Sequence, residues 1–114
     1  TCALPIYSMV EDERMQVIMG LIMHGGNAKS QAFQAIQLAK VGDFDGAKAA
    51  IAQADQSIKA AHDTQTDMLT KEAQGEHAKV DLYMVHAQDH VMNGITFRDL
   101  AVEMIAIYQK ITDK

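Results

Sequence analysis

The sequence predicts an all-α protein, an antiparallel three-helix bundle, on three observations. Its 114 residues are rich in alanine and methionine, with eight Met, no Trp, 5% aromatics and one proline, Pro5, a balance that favours helix. Apolar residues recur at helical spacing over three long segments. Two short breaks centred on Gly42 and Gly75 separate them, and short turns between long amphipathic helices imply antiparallel neighbours.

The first segment covers residues 11–41. Met15, Ile18, Met19 and Ile22 form a stripe that Gly25-Gly26 interrupts and Phe33 and Ile36 resume. Ile22 to Phe33 is eleven residues, roughly 20° from three full turns, so the stripe resumes in phase. One continuous helix is expected, despite about 1 kcal/mol lost at each glycine. Gly26 falls on the stripe, which suits a close helix approach, room for a neighbour's side chain, or a local kink. Met15, Met19 and Met23 read as core or oligomer interface rather than as thioether ligands.

Val41-Gly42-Asp43 is the first turn. Gly42 suits the residue just past a helix end. Asp43 can cap the next helix, and Asp45 complements its dipole. Phe44, Ala47, Ile51, Ala54, Ile58, Ala61, Gln65 and Met68 then alternate three- and four-residue steps, a heptad-like seam whose alanines permit close packing. Lys48, Gln53, Gln56 and Lys59 make the opposite face polar.

Gln74-Gly75-Glu76-His77 is the second turn, and a third helix is expected over residues 80–111, about 50 Å long. Val80, Leu82 and Met84 alternate as a strand would, but the periodic continuation favours helix. Phe97, Leu100, Ala101, Met104, Ile105, Tyr108 and Ile111 mark one face, expected to be buried. Extended backwards, that face meets Asn93, His90 and His86, with Asp89 to one side. Polar groups on a buried stripe are costly unless partnered, so the cluster calls for a chemical role. His24, His62 and His77 have no comparable company and read as surface or packing residues. Three such stripes exceed what three helices can hide, so a closed, symmetric oligomer is expected.

The net charge is −5, from 15 acidic against 10 basic residues. No basic run exists, which disfavours nucleic acid or an anionic membrane as partner. Cys2 is the only cysteine, so no intramolecular disulfide forms and the chain reads as intracellular. The longest apolar runs fall far short of the roughly 20 residues of a membrane span. Residues 1–8 do not match a secretory signal; they read as a non-native prefix ahead of Met9, leaving one domain over residues 9–114.

His86 and His90 are four residues apart, and His86 and Asp89 three apart, so each pair shares one helix face. Three chemistries fit. Two histidines and a carboxylate can bind a transition metal such as zinc, although His86-Ala87-Gln88-Asp89-His90 lacks the intervening general base of His-Glu-x-x-His. A neutral imidazole can attack a phosphoryl group. Or the histidines are structural, setting the register of an oligomeric helical adaptor.

In this setting Val85-His-Ala-Gln-Asp-His-Val-Met92, preceded by Gly26-Asn27-Ala28-Lys29-Ser30, Gln65-Thr66 and Lys71-Glu72-Ala73, resembles enzyme IIA of the lactose/cellobiose (N,N′-diacetylchitobiose) class. This class belongs to the bacterial phosphoenolpyruvate-dependent sugar phosphotransferase system. The likeness spans about residues 9–114, in the expected three-helix order. It implies a cytoplasmic phosphocarrier: a histidine takes a phosphoryl group from phospho-HPr and passes it to the IIB component, which hands it to the incoming disaccharide. The resemblance assigns that role to His86, with Gln88 and His90 supporting the ring. It implies a homotrimeric nine-helix bundle with Asp89 at the subunit axis, holding one Mg²⁺ per trimer. Three converging carboxylates would repel, and a hard cation with oxygen ligands relieves that.

Overall fold

Helices α1 (Ile6–Lys40), α2 (Phe44–Ala73) and α3 (Leu82–Thr112) follow one another in a computed structural model. It describes the backbone of residues 6–113 and the side chains of residues 11–113. Of the expected prefix, residues 1–5 lie outside the described residues, and α1 begins at Ile6. Helix α1 packs along both α2 and α3, which touch each other far less.

The turns follow the chemistry of their residues. Gly42 adopts φ +86° and Gly75 φ +90°, left-handed values that an L side chain resists. The Asp43 side chain accepts from the Gly46 amide at 2.9 Å and caps α2. Between α2 and α3, Glu72 accepts a hydrogen bond from the ring of His77 and another from the Ala78 amide. His77 lies at the surface, as expected, and its hydrogen bond is the main reason the Glu72 carboxyl sits below its ordinary value. Asp81 caps α3, accepting from the Met84 amide at 3.0 Å and from Arg14 of α1 at 2.6 Å. Residues 80–84 form a helix entry, not a strand.

The core is built from small residues. Ala28, Ala32, Ala35 and Ala39 of α1 are fully or almost fully buried, as are Ala47, Ala54 and Ala61 of α2, so the α2 seam lies inward as expected. Larger side chains fill the gaps, with Ile18, Leu21 and Val91 the largest fully buried ones. Helix α3 departs from expectation. Its inward residues are Met84, Ala87, Val91, Gly94 and Ala101, whereas Leu100 is 59%, Ile107 57% and Ile111 61% exposed. Of the expected stripe, Ala101 is buried and Phe97, Ile105 and Tyr108 are half-buried against the core, while Leu100, Met104 and Ile111 face out of the single chain.

The approach of α3 to α1 is set by glycine. A Cβ on Gly25 would lie 2.7 Å from the His90 carbonyl carbon and oxygen, and one on Gly94 would lie 2.8 Å from the Gly25 oxygen. Here the α1 and α3 backbones touch. Helix α1 runs unbroken through Gly25-Gly26; the close approach falls on Gly25, whereas the nearest atom to a Cβ on Gly26 would be His90 Cδ2 at 4.0 Å.

Candidate functional site

Asp81 fixes where α3 starts, and His86 follows in the second turn. The second turn faces solvent in the single chain: His86 and Asp89 are exposed and His90 is half-buried against α1. The expectation that His86 and Asp89 lie on a buried stripe is therefore corrected. A helix turning about 100° per residue puts His86 and Asp89 well to one side of the face that carries Ala87 and Val91 inward.

The two histidines do come together. Their ring centroids are 4.3 Å apart, edge to face at 60°. The His90 Nδ1 lies 3.1 Å from the His86 carbonyl oxygen. A carbonyl only accepts, so Nδ1 carries the proton there and His90 keeps Nε2 free. The imidazole of His86 is thus exposed to an approaching partner yet backed by a second ring.

Gln88 is not brought to that ring within the chain. Its side chain points to α2, where its oxygen accepts from Gln65 Nε2 at 2.7 Å; its nitrogen faces the sulfur of Met84, one turn back on α3, at 3.5 Å. Two residues along a helix turn a side chain roughly 200° away, so His86 and Gln88 occupy opposite flanks. Gln65 was the signal for this pairing: it is the one polar residue in the otherwise apolar α2 seam.

Asp89, His90 and Asn93 of α3 line a small cleft of about 170 Å³ together with Gly25, Gly26 and Lys29 of α1. Sequence reasoning assigned Lys29 no role at the site. Among the described residues, Asp89 has no cationic partner within ion-pair distance. Nor does any group of three His, Cys, Asp or Glu side chains come within reach of one metal ion. One chain therefore presents a single carboxylate, that of Asp89, on this stretch of α3. A larger groove of about 380 Å³, lined by Phe44, Lys48, Ile51, Val102 and Ile105 among others, lies at the other end of the bundle.

Residues 16–109 match the family described as "PTS system, Lactose/Cellobiose specific IIA subunit". The chain is 56% identical to the PTS system cellobiose-specific EIIA component of Lactococcus lactis subsp. lactis (strain IL1403), over 88% of this chain and 86% of that protein. It is 58% identical to the PTS system galactose-specific EIIA component of Lactococcus lactis subsp. cremoris (strain MG1363), over 82% and 81%. Among solved structures it is similar to the IIA(chitobiose)–HPr complex of the N,N′-diacetylchitobiose branch of the Escherichia coli phosphotransferase system. The TM-score is 0.74 at 39% identity, over 86% of this chain and 95% of that one.

Proposed function

The chain belongs to the lactose/cellobiose-specific IIA family of the sugar phosphotransferase system, and from that premise we propose that His86 carries its phosphoryl group. The protein is a phosphotransferase component working through a phosphohistidine. It accepts the phosphoryl group from phospho-HPr and passes it to IIB for uptake and phosphorylation of a sugar of the lactose/cellobiose/chitobiose class. The observation that supports His86 is its exposed ring, backed edge to face by His90. An N–P bond forms at His86 as the phosphoryl group leaves HPr, and it breaks again on delivery to IIB. Such transfers depend mainly on positioning and electrostatics; here the His90 ring stands beside the exposed imidazole. Membership of this family supports a carrier that works in the cytoplasm. No described helix is long and apolar enough to cross a membrane.

The same reading includes a homotrimer. Exposed Leu100, Met104, Ile107 and Ile111 form an apolar strip along α3 on the flank that carries His86 and Asp89. Burying such strips against two further copies would bring three Asp89 carboxylates together, and one Mg²⁺ would neutralise part of their charge. Gln88 then acts on the α2–α3 side, bonded to Gln65, rather than as a direct support of the ring in its own chain.

Incubation with phosphoenolpyruvate, enzyme I and HPr tests the assignment. An acid-labile phosphoryl adduct is expected in the parent and its complete loss in His86→Ala. An adduct of equal amount in that variant overturns it. The rival reading, an adaptor whose histidines are only structural, expects no adduct at all and tolerance of His86→Asn.

A further inference from the structure

The geometry points to Gly25 and Gly26 of α1 as positioning residues for the phosphorylated ring, acting through His90; this rests on His86 being the carrier. An exposed imidazole is free to rotate about two bonds, and fixing it has to come from a neighbour. The neighbour here is the His90 ring, 4.3 Å away. His90 is in turn located by three contacts. Its Nδ1 is tied to the His86 carbonyl at 3.1 Å. Its backbone carbonyl rests on Gly25, where a Cβ would come within 2.7 Å. Its ring edge lies over Gly26, where a Cβ would stand 4.0 Å from Cδ2.

The two glycines act differently. The atoms that a Cβ on Gly25 would strike are backbone, namely the His90 carbonyl and the Val91 nitrogen at 2.9 Å. Backbone in a helix yields only by moving the helix, so a methyl group there displaces α3 at His90, one turn past His86. At Gly26 the facing atom belongs to a side chain. Alanine fits in ordinary contact, whereas a branched residue pushes the His90 ring away from that of His86. Gly20 lies on the same helix, and a Cβ there would meet nothing within 4 Å.

The test measures phosphoryl transfer from phospho-HPr at saturating donor, together with the half-saturating donor concentration, the thermal midpoint and the ring nitrogen chemical shifts of His86 and His90. Gly25→Ala is expected to slow maximal transfer by about a hundredfold, the scale of a displacement near 1 Å. Gly26→Val is expected to slow it by about tenfold through a smaller displacement. In both, the half-saturating donor concentration stays close to the parent's and both sets of ring shifts move. Gly20→Ala behaves like the parent. If Gly25→Ala does not fold, Gly26→Val decides, because its Cβ meets no backbone. Parent-like maximal transfer in Gly26→Val, or slowed transfer with unmoved ring shifts, overturns the positioning role. A parent protein that takes no label on His86 overturns the carrier assignment instead.

Discussion

Helix α3 has two flanks that obey opposite rules. The inner flank carries Ala87, Val91, Gly94 and Ala101, all buried. It is closed, and its residues are chosen for what they lack. The outer flank carries His86, Asp89, Leu100, Met104 and Ile111, all exposed in the single chain. It holds the larger and the more reactive groups. The comparison teaches that in this bundle hydrophobic size does not mark the core. Distance between backbones does, and the proposed carrier histidine occupies the side that the chain leaves uncovered.

The sharpest way to break that comparison is to alter two consecutive residues. Ala87→Leu inserts bulk beside α1 and should lower the free energy of unfolding by about 1–3 kcal/mol. His86→Ala should change it by no more than about 0.5 kcal/mol, as exposed substitutions do, while abolishing the phosphoryl adduct. Denaturant titration reads both, and equal losses would dissolve the distinction between flanks.

A second test puts a charge on the outer strip. Met104→Glu should leave helicity intact but weaken the proposed trimer by at least about tenfold, equivalent to about 1.4 kcal/mol; sedimentation at graded concentrations measures it. An unchanged assembly would remove this strip from the interface. Asp89→Leu should act in the other direction, holding or tightening the trimer by on the order of 1 kcal/mol as repulsion disappears. If the proposed axial cation is present, chelating divalent cations should loosen the parent's assembly and leave that variant unaffected.

The smallest expected effect is at the helix start. The carboxyl of Asp81 is held below its usual value, first by the Met84 amide and then by Arg14. A carboxylate with a lowered folded value contributes stability above its unfolded pKa, near about 3.9, and loses it as pH falls through the folded value. Acid titration of the parent should therefore show a stability loss below about pH 4 that is reduced in Asp81→Asn.

Much of the fold was legible from spacing. The two left-handed glycines, the Asp43 cap and the alanine seam of α2 all stand where periodicity and turn chemistry put them. The inner flank of α3 was not, because hydrophobic periodicity gives weight to Leu100 and Met104 and almost none to glycine. A signal was nevertheless present: Ala87, Gly94 and Ala101 recur every seven residues, the repeat of a seam between close helices. At the site, the spacing of His86 and His90 correctly placed one ring over the other. The direction of the Gln88 side chain was not legible: within the single chain helix geometry turns it towards Gln65 of α2 and away from His86.

The bond between Arg14 and Asp81 has a mechanical consequence for traffic through the carrier. It ties the first turn of α3, five residues before His86, to a distant part of α1. An end so anchored is protected from fraying, so visitors meet a ready-made landing ground instead of moulding one. With His86 as the proposed carrier, donor and acceptor would take turns on the same rigid plot, and the order of events would be left to how tightly each clings before and after the cargo changes hands.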